Sequence, residues 1–96
     1  MAGYKLSQMA KSDLKEIYRY GRLEYGEKQA DRYFADFFAR FDQIADNPLL
    51  YPAVDHIREG YRRGVCGVHA IYYRIENDTV EIMRLLGRQD AAEAFK

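Results

Sequence analysis

The sequence has little of what several classes of protein require. Its 96 residues include one cysteine, Cys66, so no disulfide can form within the chain and a reducing compartment is expected. Fifteen Lys and Arg balance fifteen Asp and Glu, and this zero net charge lacks the basic footprint of direct nucleic-acid binding. No run of about 18 apolar residues is present to span a membrane, and residues 1–3 show no leader. We therefore expect one cytoplasmic domain over residues 1–96 that is not bound to membranes.

Residues that carry catalysis or bind metal are also scarce. The two histidines, His56 and His69, lie far apart, and no spacing typical of a metal site, a nucleophile with its base or a phosphate loop is present. We interpret His56 as solvated, His69 as a hydrogen-bonded core histidine, and Cys66 as a packed strand residue. The sequence predicts no metal ligand, no cofactor and no catalytic residue.

Aromatic residues are what the chain has in abundance, with nine Tyr and five Phe. Apolar residues at three- and four-residue spacing predict a helix from Ser7, its N-cap, to Gly26. A second helix is predicted over residues 27–46 and stops at Asn47-Pro48. Its apolar stripe comprises Ala30, Tyr33, Phe34, Phe37, Phe38, Phe41, Ile44 and Ala45. Either the first helix and a sheet absorb this stripe completely, or part of it is left for a partner.

Alternating residues predict four strands, at residues 4–7, 61–66, 68–75 and 80–86, with turns at Gly67 and Asn77-Asp78. The predicted class is α+β with the order β-α-α-β-β-β. A helical hairpin would pack on one face of a small, mainly antiparallel four-strand sheet. The segment 87–96 is interpreted as a C-terminal tail or a marginal last helical turn.

Alternation also predicts which strand residues face the helices. In the third strand, the predicted core face consists of His69, Ile71, Tyr73 and Ile75. In the fourth strand, Val80, Ile82 and Leu86 would share a face with Arg84, whereas Met83 and Leu85 would lie on the opposite face. A strand that is apolar on both faces is usually covered on both. We therefore expect a second chain to cover part of the face away from the helices.

Arginines and tyrosines along the strands form a candidate polar patch, which consists of Arg62, Arg63, Tyr72 and Arg74. It is interpreted as either a solvated strand edge or a binding surface. With Arg84 and Arg88, such residues could also support metal-free RNA cleavage. The zero net charge and the pKa near 10 of an ordinary tyrosine argue against that reaction.

Together, several segments resemble one known family. These are YKLSQMAKSDLKEIYRYG at the start, the helix end at 46–48, GYRR at 60–63, HAIYYR at 69–74 and EIMRLL at 81–86. Over nearly the whole chain, this joint pattern resembles the ParE branch of the RelE/ParE toxin superfamily. The chain departs from many relatives at Gly87, where they carry His, and at Tyr25, where they carry Trp.

The resemblance implies a type II toxin that causes growth arrest, contributes to plasmid stabilisation and forms a hetero-oligomer with a ParD-like ribbon-helix-helix antitoxin. It also implies DNA gyrase as the target, inhibited by binding and not by catalysis. The residues that it implies for target binding are Arg84, Leu86, Arg88, Gln89 and Asp90. Antitoxin contacts are expected at Tyr33, Phe37, Phe38, Met83 and Leu85. The alternatives are a RelE-type ribosome-dependent mRNA endonuclease and a non-toxic antitoxin-binding module.

Overall fold

Four strands form one mixed sheet, and a hairpin of two long helices packs against one of its faces. The computed structural model describes residues 3–87 and 91–95. In chain order, the elements are β1 (Tyr4–Leu6), α1 (Gln8–Tyr25), α2 (Glu27–Asp46), β2 (Arg62–Cys66), β3 (His69–Glu76), β4 (Thr79–Leu86) and α3 (Ala91–Ala94). The strand order is β1-β4-β3-β2, with β1 parallel to β4 and the other pairs antiparallel. The predicted α+β class and element order are confirmed. Among the described residues, no helix is long and apolar enough to cross a membrane.

The boundaries of α1, α2 and the last hairpin follow local signals in the sequence. The Ser7 hydroxyl accepts a hydrogen bond from the Ala10 amide at 3.0 Å and thereby caps α1. Gly26, between the two long helices, has a φ of 94°, a conformation that other residues rarely adopt. Asn77 and Asp78 both have positive φ and form the tight turn between β3 and β4. These positions agree with the predicted ones.

The helical hairpin and the sheet enclose the larger of the two apolar clusters in the described residues, which we call the helix-side core. From α2, the side chains of Phe37, Phe41 and Ile44 are fully buried. The sheet contributes Ile71, Tyr73, Val80, Ile82 and Leu85. Most side chains of the apolar stripe predicted for the second helix are thus buried in the core. Phe34 remains 37% exposed, so part of the stripe reaches the surface.

A bulge changes which side chains of β4 face the helices. The extra residue, Met83, lies opposite the step from Tyr72 to Tyr73, where the register between β3 and β4 shifts. Strict alternation predicted Leu86 on the helix side and Leu85 on the other face, and this prediction is wrong. Leu85 lies in the helix-side core, and Leu86 lies in the cluster on the opposite face, because the extra residue inverts the alternation beyond it.

The face of the sheet away from the helices is covered by the chain itself. The segment between α2 and β2 supplies Val54 and Tyr61, and Phe95 packs against Tyr61 and Tyr72 with ring centroids 5.2 and 5.4 Å apart. The buried apolar side chains on this face are therefore covered within the chain, and a second chain over part of this face stays a prediction. In its described part, 91–95, the C-terminal segment is a helical turn packed on the sheet, as in the second of the two predicted alternatives.

Candidate functional site

A groove with a volume of about 640 Å³ runs along α1 and α2 and ends at the turn between β2 and β3. We call it the hairpin groove. Its apolar lining includes Leu14, Ile17, Ala30, Tyr33, Phe37 and Val68. Three charged side chains, Glu16, Arg32 and Asp36, also lie along it. Such a groove suits a peptide segment that presents apolar side chains at helical spacing.

Large apolar side chains at the hairpin groove are exposed to solvent. Val68 is 76% exposed, and Tyr20 and Tyr25 are more than half exposed. Beside them, the Tyr18 hydroxyl donates to the Asp31 carboxylate at 2.5 Å, a bond that raises the pKa of Tyr18. The Tyr18 ring packs edge-on against Phe34. Clustered exposed apolar side chains of this kind mark interaction surfaces.

Hydrogen bonds among Tyr33, Cys66 and His69 hold the end of the hairpin groove at the β2–β3 turn, and we call this cluster the Tyr33 node. The Tyr33 hydroxyl donates to the Cys66 carbonyl at 2.8 Å and lies 2.8 Å from Nδ1 of His69. Burial lowers the pKa of His69, which favours the neutral imidazole, and a proton on Nδ1 would then be donated to the Tyr33 oxygen. Burial also raises the pKa of the Cys66 thiol, which disfavours a thiolate. Cys66 is thus a packed strand residue and His69 is hydrogen-bonded, as predicted, but His69 is half-buried at the groove and does not lie fully in the core.

Gly67 is required at this node for two reasons. Its φ is 58°, in the left-handed region, and a Cβ atom there would lie 2.5 Å from the Tyr33 hydroxyl oxygen. The β2–β3 turn can therefore approach α2 closely only because this residue has no side chain. That approach sets the shape of the groove's end.

The five predicted antitoxin contacts do not lie together. Only Tyr33 and Phe37 line the hairpin groove, and Phe37 is fully buried. Phe38 packs half-buried against neighbouring rings of α2, while Leu85 is 2% exposed inside the helix-side core. Met83 belongs to the cluster on the opposite face. Phe37 and Leu85 are thus buried in the helix-side core, so neither side chain is exposed for contact with a partner.

Arg84 and Leu86, two of the predicted target-binding residues, are engaged within the fold. The Arg84 guanidinium bonds both oxygens of the Asp13 carboxylate, at 2.7 and 3.1 Å, and these hydrogen bonds raise the pKa of Arg84. Asp13 also accepts from the Leu85 amide at 2.9 Å, so it ties α1 to β4. Leu86 is 1% exposed. The other three predicted residues, 88–90, lie outside the described residues. Sequence reasoning missed Asp13 as the residue that links these two elements.

The candidate polar patch is not a converging set of side chains. Arg62 donates to the carbonyl of Tyr51 at 2.6 Å, and Tyr72 is buried beneath Phe95. Arg74 forms ion pairs with Glu81 at 2.8 Å and Glu76 at 3.0 Å, while Arg63 is exposed. In the ranges that the structure describes, no group of three or more His, Cys, Asp or Glu side chains is arranged to hold a metal ion.

Comparisons with known proteins assign the chain to one family. The family model described as "ParE toxin of type II toxin-antitoxin system, parDE" matches residues 4–92. A protein of Caulobacter vibrioides named "Toxin ParE1" is 36% identical over 94 residues, which cover 98% of this chain and 97% of the relative. A Mycobacterium tuberculosis protein of the same name is 34% identical over 84 residues, with 86% of each chain covered.

Solved structures show the same fold at lower sequence identity. A chain of the chromosomal ParDE toxin–antitoxin system of P. aeruginosa superposes with a TM-score of 0.79 and 17% identity, covering 93% of this chain and 98% of that one. A chain of the RelBE2 toxin–antitoxin complex of M. tuberculosis has a TM-score of 0.62 and 22% identity, covering 91% and 98%. The first chain belongs to a ParDE toxin–antitoxin system, and the second to a crystallised RelBE toxin–antitoxin complex.

Proposed function

Because this chain belongs to the ParE toxin family of type II toxin–antitoxin systems, we propose that it arrests growth by inhibiting DNA gyrase unless a ParD-like ribbon-helix-helix antitoxin binds it. The observation that supports neutralisation by a partner chain is the hairpin groove with its exposed apolar side chains. Gyrase acts on chromosomal and plasmid DNA, so the proposed site of action is the cytoplasm.

The antitoxin segment that fits the hairpin groove is an amphipathic helix. The groove follows two long helices and offers apolar side chains along its length, so a partner helix can bury residues at i, i+3, i+4 and i+7 in it. Val68 at the groove's end is mostly exposed in the chain alone, and burying such a side chain contributes about 1.5 kcal/mol or more. Glu16, Arg32 and Asp36 can pair with charges on either side of the partner's apolar stripe.

The groove assignment is tested by a charged substitution at Val68. Val68→Glu would place a carboxylate against the partner's apolar stripe and should weaken antitoxin binding by about tenfold or more. Its matched control is Leu49→Glu, because Leu49 is 70% exposed and lies outside the groove lining. Calorimetric titration with a ParD-like antitoxin measures both, with melting curves to verify folding. Equal affinities of the two variants would contradict the groove assignment.

The gyrase target is tested with the protein freed from its antitoxin. We expect it to block ATP-dependent supercoiling by purified gyrase and to increase the amount of cleaved DNA–gyrase complex. Normal supercoiling at a large molar excess of the toxin would reject this target. Alanine at Arg88, Gln89 or Asp90, the remaining proposed contacts, should weaken inhibition without changing antitoxin affinity. Substitutions of Arg84 are less informative, because its guanidinium holds Asp13 within the fold.

The two alternatives predict different results. A RelE-type endonuclease would cut mRNA inside ribosomes soon after induction, but Arg62 and Arg74, which such a reaction could use, are bonded to other groups of the chain. A non-toxic binding module would bind the antitoxin with the same affinity and would leave growth unaffected when expressed alone. Growth curves and mRNA integrity after induction distinguish the three functions.

A further inference from the structure

We propose that the Tyr33 node and Asp36 form a polar subsite in the hairpin groove, and that this subsite binds the guanidinium group of an arginine on the antitoxin helix. Nε2 of His69 accepts a hydrogen bond from one N–H group of the guanidinium, and the Asp36 carboxylate accepts from another. The identity of the occupant rests on the proposed antitoxin binding, whereas the chemistry of the subsite does not.

Two hydrogen bonds at the Tyr33 node determine which nitrogen of His69 carries the proton. The Cys66 carbonyl can only accept, so the Tyr33 hydroxyl donates its one proton to that oxygen, 2.8 Å away. The contact of 2.8 Å between the same hydroxyl and Nδ1 is then a hydrogen bond only if Nδ1 is the donor. The reverse arrangement would point lone pairs of the two oxygens at each other. In the neutral imidazole, Nε2 is therefore unprotonated and can accept a hydrogen bond.

This acceptor atom of His69 faces the hairpin groove without a partner. His69 is half-buried and lines the groove, and Nδ1 is its only ring nitrogen that is hydrogen-bonded to a described residue. In the part of the chain that the structure describes, no polar side-chain atom is both fully buried and unpaired, so Nε2 is accessible. The rings of Tyr33 and Phe37 hold the imidazole in place, with centroids 5.7 and 5.8 Å from its own. Nε2 is thus a preoriented acceptor in a mostly apolar groove.

Asp36 supplies a negative charge next to this acceptor. It lies three positions after Tyr33 on α2, a spacing that brings Cβ atoms on a helix within about 5–6 Å. Burial raises the pKa of the Cys66 thiol, Arg40 lowers it and the Asp36 carboxylate raises it, so this charge acts on the node. Asp36 is exposed and forms no ion pair with a described residue. Its carboxylate is therefore available to a partner.

A guanidinium group suits these two acceptors better than other common donors. Its N–H groups are spread over a rigid plane, so one can bond Nε2 while another reaches a carboxylate. Its positive charge also complements the groove, because the carboxylates of Glu16 and Asp36 outnumber the guanidinium of Arg32 among the charged side chains of the lining. Arg40, one turn beyond Asp36, donates to Gln43 at 3.0 Å and does not line the groove. A neutral amide or hydroxyl would leave the Asp36 charge unpaired.

The subsite is tested by NMR of the protein labelled at its histidine nitrogens, at about pH 7.5, above the ordinary pKa of histidine. Long-range proton–nitrogen spectra should show His69 protonated at Nδ1. Titration with N-acetyl-arginine methylamide should give a saturable shift of its Nε2 signal. The citrulline analogue, which has the same shape but no charge, should bind several-fold more weakly at the same ionic strength. His56, which does not line the groove, is the internal control and should not shift.

Substitutions identify the groups that form the subsite. Asp36→Asn should weaken binding of the arginine derivative several-fold, whereas Asp42→Asn, an exposed change on the same helix but outside the groove lining, should not. Tyr33→Phe should move the His69 proton to Nε2 and abolish the shift.

Four results would each overturn the subsite. In the first, His69 of the unmodified protein is protonated at Nε2, or stays protonated at Nδ1 in Tyr33→Phe. In the second, no saturable shift occurs up to about 0.1 M of the arginine derivative, well above the millimolar range expected for a ligand with two polar contacts. In the third, the arginine and citrulline derivatives bind equally. In the fourth, Asp36→Asn and Asp42→Asn bind equally.

The occupant is tested in the complex by a double-mutant cycle. Each arginine of a ParD-like antitoxin is replaced by glutamine in turn, and calorimetric titration gives its affinity for the unmodified protein and for Asp36→Asn. Replacing one particular arginine should weaken binding to the unmodified protein several-fold more than binding to Asp36→Asn. If no arginine shows this coupling, the antitoxin does not use the subsite. Equal affinities of Val68→Glu and Leu49→Glu would instead reject antitoxin binding in the groove and leave the arginine titration unaffected.

Discussion

The two faces of the sheet are covered in very different ways. On one face, helices of 18 and 20 residues bury three side chains of α2 completely. On the other, an irregular segment and a four-residue helix cover a smaller cluster that is centred on two tyrosines. The difference shows where stability and interaction reside. The helical hairpin encloses the larger core and carries the hairpin groove on its surface, whereas the second cover packs a smaller cluster with loop and helical-turn residues.

The strongest contrast between the faces is expected from removing one phenylalanine ring on each. Phe41 is fully buried, and Phe41→Ala should lower the free energy of unfolding by about 3–5 kcal/mol because it leaves a cavity in the helix-side core. Phe95→Ala removes a half-buried ring at the edge and should cost about 1–2 kcal/mol. Urea unfolding measures both. Similar losses of unfolding free energy would show that the two covers contribute equally to stability.

The next largest effect is expected at the end of the hairpin groove. Gly67→Ala places a side chain at positive φ and against the Tyr33 hydroxyl, so it should cost about 2–3 kcal/mol and weaken antitoxin binding as well. Gly3→Ala is the matched control, since a Cβ atom there meets nothing within 4 Å. Unfolding curves and antitoxin titrations measure the two effects. A folded Gly67→Ala protein with unchanged stability would mean that the Tyr33 node does not shape the groove.

A smaller loss is expected where α1 is tied to β4. Asp13→Asn keeps the shape of the side chain but removes the negative charge from Arg84, whose side chain is 16% exposed. We expect a cost of about 1–2 kcal/mol, because a partly buried guanidinium loses its partner. Glu76→Gln, at the more exposed pair with Arg74, should cost less than about 0.5 kcal/mol. If Asp13→Asn and Glu76→Gln lower the free energy of unfolding in urea equally, the Asp13–Arg84 pair has no special structural role.

The smallest effect is a pH dependence that arises from His69. Burial lowers its pKa in the folded state, so its neutral form is favoured by folding. Its contribution to stability is complete above the unfolded-state pKa of about 6.5 and is lost as the pH falls from there through the lowered folded-state pKa. Melting temperatures between about pH 7.5 and 5 should therefore fall more for the unmodified protein than for His69→Gln. Parallel curves would show that His69 is not protonated on unfolding.

The sequence predicted those parts of the fold that depend on neighbouring residues. Ser7, Gly26 and the Asn77-Asp78 turn each act within a few residues of chain, so the element order and most boundaries could be predicted. The bulge at Met83 could not, because no local signal distinguishes an extra residue from continued alternation. Nor could the cover on the second face, which depends on a ring at Phe95 that looked like part of a tail.

The candidate site was predicted only in outline. The stripe of α2 indicated which side of the helix is apolar, and two of its members, Tyr33 and Phe37, do line the hairpin groove. The pattern cannot tell which members remain exposed, since that depends on how closely α1 and the β2–β3 turn approach. Val68 follows the turn at Gly67 and has no periodic pattern that indicates a groove, and Asp13 lies 71 residues from the arginine that it binds. Contacts over such distances in sequence leave no periodic signal.

Inhibition of gyrase by a toxin that is neutralised through the hairpin groove is tested most directly by a supercoiling assay with increasing amounts of antitoxin. The antitoxin-free protein and Val68→Glu should inhibit supercoiling equally, because Val68 belongs to the groove and not to the proposed gyrase contacts. An equimolar amount of antitoxin should restore supercoiling for the unmodified protein, whereas Val68→Glu should require a clear excess. Undiminished supercoiling at a large molar excess of antitoxin-free toxin would contradict the claim.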